Sequence, residues 1–127
     1  MKIFGIGTDI VKVNRISKSI KSKSFVSRLF NKEEIIKCKK ITKTSNCFAK
    51  RYAAKEAFSK ALGTGISKGI KFNEIVVSND TNGKPFIKLL KKTKKIVNKK
   101  IGNTKYKIAL SITDEEQYAV AFVTISI

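Results

Sequence analysis

The sequence predicts an α+β domain in which an antiparallel sheet packs against one long helix. Three observations predict it: short apolar stretches with strand character near both ends, a strong helical pattern in the middle, and a length of 127 residues, which suits one core. Hydrophobic residues make up 42% of the chain and charged residues 29%, as in an ordinary globular domain. We therefore expect residues 1–127 to form a single domain.

The first half of the chain predicts one strand followed by helices. A strand is expected over residues 3–11, where two glycines interrupt an apolar run. One or two short amphipathic helices follow over 15–30, and Asn31 is the expected N-cap of the next helix, with Glu34 at the capping-box position. The strongest helical pattern runs from about 47 to 62, and Gly63 is the expected C-cap residue.

The second half predicts mainly strands. Short strands are expected over 75–77 and 85–89, with a turn at 79–83 between them. A lysine-rich helix with one apolar edge is expected over 88–100. The apolar or alternating stretches 106–112 and 118–127 flank the acidic residues 114–116 and so predict a hairpin.

Positive charge is the most unusual property of the composition. Lys and Arg total 28 against nine acids, which gives a formal net charge of +19. Such a field favours anionic partners: nucleic acid, an anionic membrane, phosphorylated cofactors or an acidic protein. Only three of these cations are Arg, as expected if lysine simply fills surface positions, so the charge alone does not identify the partner.

Missing residue types narrow the chemistry. The chain has no histidine, which excludes imidazole bases and histidine-ligated zinc, so acid–base steps must use carboxylates, lysine or metal-bound water. Cys38 and Cys47 have neither metal nor redox spacing and are expected to be free thiols in a reducing cytoplasm. Neither a signal peptide nor an apolar run of about 20 residues is recognisable, so no membrane span is expected.

The predicted helix over 48–62 carries charges among small apolar residues. At about 100° per residue its apolar side chains surround the axis, as in a buried helix. Glu56 and Lys60 nevertheless share one arc, and Arg51 and Lys55 share another. Buried charges need a partner or an ion, since each unpaired one costs on the order of several kcal/mol. The alternative, which spacing alone favours, is a surface Glu56–Lys60 pair worth roughly a few tenths of a kcal/mol.

Asp9 follows Gly5 and Gly7 in the first predicted strand. Glycines inside a strand indicate close approach of another backbone or a ligand, and an acid in an apolar strand needs a partner. A turn-forming Asp that caps the following helix is an equally open alternative. The glycines match neither the dinucleotide fingerprint nor the Walker motif.

These acids and cations together suit one chemistry. Magnesium is usually held by one or two carboxylates, several waters and the phosphates of a substrate. Asp9 and Glu56 can supply the carboxylates, and Arg51, Lys55 and Lys60 can hold a diphosphate. The residues alone therefore lead as far as a magnesium–phosphate site.

Five stretches of the chain, taken in order, form a recognisable set of motifs: residues 5–11 (GIGTDIV), 48–66 (FAKRYAAKEAFSKALGTGI), 82–85 (NGKP), 111–113 (SIT) and 118–119 (YA). Together they resemble the motifs of the holo-acyl-carrier-protein synthases, the small bacterial phosphopantetheinyl transferases. They span the whole chain in the right order, and the long second motif is highly specific. The resemblance implies the phosphopantetheinyl transferase fold, a cytoplasmic location, and transfer of phosphopantetheine from coenzyme A to a serine of apo-acyl carrier protein in support of fatty-acid synthesis.

The resemblance also assigns roles to residues. Asp9 and Glu56 match the family's magnesium-binding acids, and with Lys60 they are the expected catalytic residues. Arg15 matches a basic position on the helix that docks the acidic carrier protein. The expected coenzyme-binding residues are Arg51, Lys55, Lys60, Gly63, Thr64 and Gly65.

Two further points concern assembly and the C-terminal turn. The resemblance implies a homotrimer with active sites at subunit interfaces. Many relatives carry a His-Thr pair after the Ser-Ile-Thr strand, near the ribose phosphate of the coenzyme. This chain has Asp114 and Glu115 at that place.

A small basic nucleic-acid-binding protein is the alternative from another class. Its charge would fit, but the aromatic residues are mostly Phe at core-like positions, with no interleaved stacking platform. No recognition-helix or zinc motif is found either. The motifs therefore favour the transferase, and nucleic acid is not among the expected partners.

Overall fold

The computed structural model describes residues 1–63 and 69–127 and confirms the α+β class. The described residues form five strands and five α-helices, with a 3-10 turn at Phe72–Glu74. In chain order the elements are β1 Ile3–Lys12, α1 Val13–Ser19, α2 Lys23–Leu29, α3 Lys32–Lys39, α4 Thr44–Leu62, β2 Ile75–Asn79, β3 Pro85–Leu89, α5 Lys91–Lys100, β4 Lys107–Asp114 and β5 Tyr118–Ser126.

The expected antiparallel pairing is present and is divided between two sheets. Strands β1, β5 and β4 form a three-stranded sheet in the order β1-β5-β4, while β2 and β3 form a separate two-stranded sheet. In the larger sheet Asp9 lies opposite Ala121, and Thr8 lies opposite Phe122. The pairing therefore places the motif strand β1 at one edge, next to β5.

Helix α4 packs across one face of the three-stranded sheet and forms the centre of the core. Strand β5 presents only small or branched side chains to it, all fully buried: Ala119, Ala121, Val123 and Ile125. Strand β1 presents Gly5 and Gly7. A Cβ at Gly5 would overlap the carbonyl oxygen of Ala61, and one at Gly7 would overlap that of Ala57. The expected close backbone approach is thus confirmed, and it brings the main chain of β1 directly onto α4.

Capping residues fix the ends of two helices as expected. At α3 the side chain of Asn31 accepts from the Glu33 N–H at 3.0 Å, and the Asn31 N–H donates to Glu34 Oε1 at 2.9 Å, which completes a capping box. Helix α4 ends at Gly63, whose φ of 88° is left-handed. Its start at Thr44 is three residues earlier than expected, because Asn46 donates to Asp114 Oδ2 and to the Glu115 carbonyl and so draws this polar turn into the fold.

Cys38 and Cys47 form a disulfide, so the expectation of two free thiols is wrong. Cys38 lies near the end of α3 and Cys47 near the start of α4, with their Cα atoms 5.4 Å apart. Both residues are buried. The contact between the two helices brings together cysteines nine positions apart, a spacing that no sequence rule for redox motifs detects. The bond ties α3 to α4.

The face of the three-stranded sheet opposite α4, the outer sheet face, is apolar and exposed. Ile6 and Ile10 on β1 are each 62% exposed, Phe122 on β5 is 45% exposed, and Tyr118 is 39% exposed.

Among the described residues, no helix combines the length and the apolar character needed to cross a membrane.

Candidate active site

Asp9 meets Lys60 where β1 crosses α4. Lys60 Nζ lies 3.2 Å from Asp9 Oδ1 and donates to the Thr8 carbonyl at 3.0 Å. The Asp9 side chain is largely shielded, at 17% exposure, whereas that of Lys60 is 55% exposed. The alternative role for Asp9, as a helix cap, is excluded: Lys12 occupies the N-cap of α1, and no side chain caps that helix.

Glu56 lies one helical turn before Lys60 and therefore on the same side of α4. It is half-buried. Within the described part of the chain, Lys60 pairs with Asp9 and not with Glu56, so the simple surface pair that spacing favoured is not formed. Asp9, Glu56 and Lys60 thus share the surface where β1 meets α4, as the motifs predict.

Tyr52, which sequence reasoning overlooked, contacts Arg15 and lies near Glu56 on α4. It lies one turn before Glu56 on α4, and its hydroxyl accepts a hydrogen bond from Arg15 Nη2 at 3.3 Å. The Arg15 guanidinium also lies 5.6 Å from the centre of the Tyr52 ring. Burial and the negative charge of nearby Glu56 raise the pKa of Tyr52, and Arg15 opposes this shift. The available signal was its position four residues before Glu56 in a run of alanines.

Lys55 does not point towards this site. Its ammonium group is fully buried and donates to Glu34 Oε1 at 2.7 Å, to the Phe72 carbonyl at 2.8 Å and to the Ile75 carbonyl at 2.7 Å. All three protons are therefore used inside the protein, and the expected phosphate contact is incompatible with this position. Burial lowers the pKa of Lys55 to about 8, although Glu34 opposes the shift.

Glu34 is the second residue that sequence reasoning missed in part. Its capping role was expected, but its place as the buried partner of Lys55 was not. It is 1% exposed, and its second oxygen, Oε2, accepts from the Val77 N–H at 3.1 Å. This pair fixes α3, α4 and β2 to one another and so serves the structure.

Arg51 lies on another side of α4, about 140° around the axis from Glu56. It lines an open cavity of about 530 Å³, here called the Arg51 cavity, whose wall includes Lys37, Lys43, Asn46, Cys47, Lys50, Arg51, Asn79, Pro85 and Asp114. Its Nη1 donates to the Cys47 carbonyl and sulfur, and its Nη2 donates to Asn79 Oδ1 at 3.3 Å. Within the described residues its buried Nε has no hydrogen-bond partner.

Asp114 also lines this cavity. It accepts from Asn46 Nδ2 at 3.1 Å and lies 4.0 Å from Lys50 Nζ. The turn that replaces the His-Thr pair of many relatives is therefore bound to α4 and adjoins the Arg51 cavity.

Of the expected coenzyme-binding turn, Gly63 is the C-cap of α4, while Thr64 and Gly65 lie outside the described residues.

The two carboxylates of the site fit a magnesium ion that also binds phosphate. No group of three or more metal-ligating side chains occurs in residues 1–63 and 69–127. Magnesium does not need one, because it commonly takes one or two carboxylates and completes its octahedron with water and substrate phosphates. Asp9 and Glu56 are hard oxygen donors of this kind, next to the cation of Lys60.

Comparison with known proteins now identifies the class. The family model of the 4'-phosphopantetheinyl transferase superfamily matches residues 5–123, and the chain belongs to this family. A holo-[acyl-carrier-protein] synthase of Pelagibacter ubique is 49% identical over 123 residues, covering 97% of this chain and 96% of the relative.

Solved structures agree with this membership. A holo-[acyl-carrier-protein] synthase from Neisseria meningitidis has a TM-score of 0.86 and 37% identity, covering 98% of this chain and 99% of the other. A holo-(acyl-carrier-protein) synthase from Bacillus anthracis in complex with CoA (3',5'-ADP) has a TM-score of 0.81 and 35% identity, covering 99% and 98%. The family and the fold predicted from the motifs are confirmed.

Proposed function

We propose that this protein is a holo-acyl-carrier-protein synthase: it transfers the 4′-phosphopantetheine arm of coenzyme A to a serine of apo-acyl carrier protein. Adenosine 3′,5′-bisphosphate is the second product. The observation that carries the proposal is the meeting of Asp9, Glu56 and Lys60 at the crossing of β1 and α4, in a chain of this family. The likeness to a synthase solved with coenzyme A supports the choice of donor.

The residues suit a transfer that depends on positioning and charge. The serine hydroxyl attacks the phosphorus next to pantetheine, and the phosphate of the nucleotide leaves. The Lys60 side chain is half-exposed and can bind the phosphates as they move, while its ion pair with Asp9 keeps it near the reacting group. Magnesium held by Asp9 and Glu56 would neutralise negative charge on the diphosphate. Arg15, exposed on α1, is proposed to bind the acidic carrier.

A trimer would bring the two halves of the site together. Within one chain Arg51 and Gly63 lie at different places on α4, and Arg51 lines a cavity whose wall does not include Glu56. We therefore propose that each site combines Asp9, Glu56 and Lys60 of one protomer with the Arg51 cavity of its neighbour.

The outer sheet face is the proposed contact between protomers. Protomers with a charge of +19 repel one another, so they associate most readily through a surface without lysine. The central part of this face is of that kind, with apolar residues at Ile6, Ile10 and Phe122. Analytical ultracentrifugation tests the assembly: an Ile10→Lys variant should sediment as a monomer, and an unchanged trimer would contradict this contact.

The activity is tested by the mass of purified apo-acyl carrier protein after incubation with this protein, coenzyme A and magnesium. A gain of about 340 Da that EDTA prevents is expected for transfer of the arm to a serine.

Glu56→Gln should lower turnover at least about a hundredfold, since it removes a metal-binding charge. Glu116→Gln, in the exposed turn before β5, is the matched control and should retain activity. No mass gain with a competent carrier would overturn the proposal, and salt-sensitive DNA binding in its place would favour a nucleic-acid-binding protein.

The cellular setting is proposed on the same basis. We place the activity in fatty-acid synthesis in the cytoplasm, as the family resemblance implies. The Cys38–Cys47 disulfide runs against the usual reduced state of cytoplasmic thiols. Thiol alkylation of the protein inside intact cells tests whether the bond persists there: cysteines protected from alkylation are expected, and two alkylated cysteines would contradict the bond in that compartment.

A further inference from the structure

A single amide oxygen holds two cations together on the wall of the Arg51 cavity. Asn79 lies at the end of β2, and its Oδ1 accepts from Lys37 Nζ at 2.7 Å and from Arg51 Nη2 at 3.3 Å. Its Nδ2 donates to the Gly83 carbonyl at 3.0 Å, which fixes the orientation of the amide. Lys37 reaches this point from α3 and Arg51 from α4. Three elements of the fold therefore place two cations around one neutral acceptor.

The positive charge at this place is not balanced by the protein. A carboxylate would neutralise such a pair of cations, whereas an amide only accepts their hydrogen bonds. Partial burial and repulsion from Arg51 and Lys50 lower the pKa of Lys37. Glu33 opposes this shift. Four cations line the cavity, and among the described residues Asp114 is the one acid on its wall. The cavity thus retains positive charge that a bound anion can neutralise.

Both cations have hydrogen-bond donors left for that anion. The Lys37 ammonium has three protons, and within the described chain its hydrogen-bond partner is Asn79. Arg51 uses Nη1 on Cys47 and one Nη2 proton on Asn79, so its second Nη2 proton is left. The residue is only 5% exposed, and its Nε also lacks a partner among the described residues. A fixed guanidinium and an exposed, adjustable ammonium thus lie side by side.

A phosphate monoester matches this pair of cations. Such a group carries a charge of about −1.5 to −2 near neutral pH and has strong acceptor oxygens for several donors. In the proposed function Lys60 and magnesium take the diphosphate of coenzyme A, and the wall of the Arg51 cavity does not include Glu56. Coenzyme A has one further phosphate, a monoester on its ribose. This is the group that the cavity suits by charge.

We propose that Lys37 is a further coenzyme-binding residue, which binds the ribose phosphate together with Arg51, and that Asn79 is the residue that positions the two cations. This inference rests on the proposed function for the identity of the coenzyme. Asn79 holds together two cations that repel each other, so the phosphate meets a preformed pair and less ordering is needed on binding. Sequence motifs did not indicate Lys37, because α3 lies between the first and second of them.

The test compares Lys37→Gln with Lys39→Gln. Both changes remove one lysine charge from an exposed position of α3, but Lys39 does not line the Arg51 cavity. Isothermal titration calorimetry measures the binding of coenzyme A and of dephospho-coenzyme A, which lacks the ribose phosphate. The carrier is left out, so no transfer occurs. Analytical ultracentrifugation confirms beforehand that each variant has the assembly state of the wild type.

Lys37→Gln is expected to raise the dissociation constant for coenzyme A about five- to tenfold, because a charged hydrogen bond is lost. With dephospho-coenzyme A the same change should have an effect below about twofold. Lys39→Gln should alter the binding of either ligand by less than about twofold, since its charge acts only through the screened field of the protein. Lys37→Arg, which keeps the cation, should recover most of the affinity for coenzyme A.

Asn79→Ala tests the positioning role. It keeps both cations and removes their shared acceptor, so it should weaken the binding of coenzyme A about three- to fivefold. The binding of dephospho-coenzyme A should change less than about twofold, whereas a purely structural role would weaken both ligands alike. In the double variant with Lys37→Gln, the loss of affinity for coenzyme A should be smaller than the product of the single losses.

The inference is overturned if Lys37→Gln matches Lys39→Gln with coenzyme A, or if its loss is equally large with dephospho-coenzyme A. Equal effects of Asn79→Ala on the two ligands overturn the positioning role. Failure of the proposed function is a different result. A wild type that binds coenzyme A but transfers nothing to a competent carrier overturns the proposed function, while the calorimetry still decides the role of Lys37. Normal transfer by the wild type, with unchanged coenzyme binding by Lys37→Gln, overturns this inference alone.

Discussion

Removal of the carboxylate from the buried Glu34–Lys55 pair should destabilise the protein severely. Both side chains have no exposed surface, and the Lys55 ammonium has Glu34 as its only anionic partner among the described residues. In Glu34→Gln the two carbonyl acceptors of Lys55 remain, but the countercharge is lost and an amide group faces the ammonium. Breaking a buried pair on one side costs about 3–5 kcal/mol.

Urea unfolding followed by circular dichroism at fixed protein concentration measures this loss. With a slope of about 2 kcal/mol per molar urea, the midpoint should fall by roughly 2 M. Glu33→Gln is the matched control on the next residue of α3: Glu33 pairs with Lys88 at 3.0 Å, but the two side chains are 48% and 44% exposed. Such an exposed pair contributes about 1 kcal/mol or less. Equal midpoints for the two variants would refute the reasoning that burial makes the Glu34–Lys55 pair indispensable.

Three further predictions concern other parts of the fold. The pKa of Lys55 is about 8 in the folded protein, against an ordinary value of 10.5. Between these pH values the unfolded state binds more protons, so the contribution of Lys55 to the free energy of unfolding rises with pH. Urea midpoints from pH 8 to pH 10 should show this rise, and the double variant Glu34→Gln with Lys55→Met should lack it. The Cys38–Cys47 bond closes a short loop and should add about 3 kcal/mol to the free energy of unfolding; dithiothreitol should remove this gain, whereas two reactive thiols in the untreated protein would contradict the bond. Gly7→Ala forces β1 away from α4, which should cost about 1–3 kcal/mol. It should also lower turnover at least about tenfold by displacing the proposed metal site; normal turnover would disprove that the close approach matters.

Local patterns were sufficient to predict most of the fold. The strand β3 has the predicted bounds, and the capping box at Asn31 and the left-handed Gly63 both follow from the chemistry of single positions. Patterns failed where a distant segment decides the outcome. The extra turn at the start of α4 is held by Asn46 through contacts 68 and 69 residues away, which no local window contains.

The candidate site, like the fold, was predictable where local patterns decide the position of a residue. The motifs located Asp9, Glu56 and Lys60, because the glycines of β1 and the period of α4 imply which residues share a side. They could not show that the Lys55 ammonium forms an ion pair inside the core, since its partner Glu34 comes from another helix, 21 residues earlier. The contact of Tyr52 with Arg15 was hidden for a similar reason: Arg15 reaches it from α1, 37 residues earlier.

The outer sheet face has a consequence for how the enzyme responds to ionic strength. In the proposed trimer, protomers with a charge of +19 would meet through an apolar surface, so added salt would favour their assembly by screening the repulsion between them. Binding of an acidic carrier and an anionic coenzyme by the same charge is weakened by added salt. The two effects have opposite signs, so turnover should pass through a maximum at an intermediate ionic strength, where the protein is assembled and its substrates are still attracted to it.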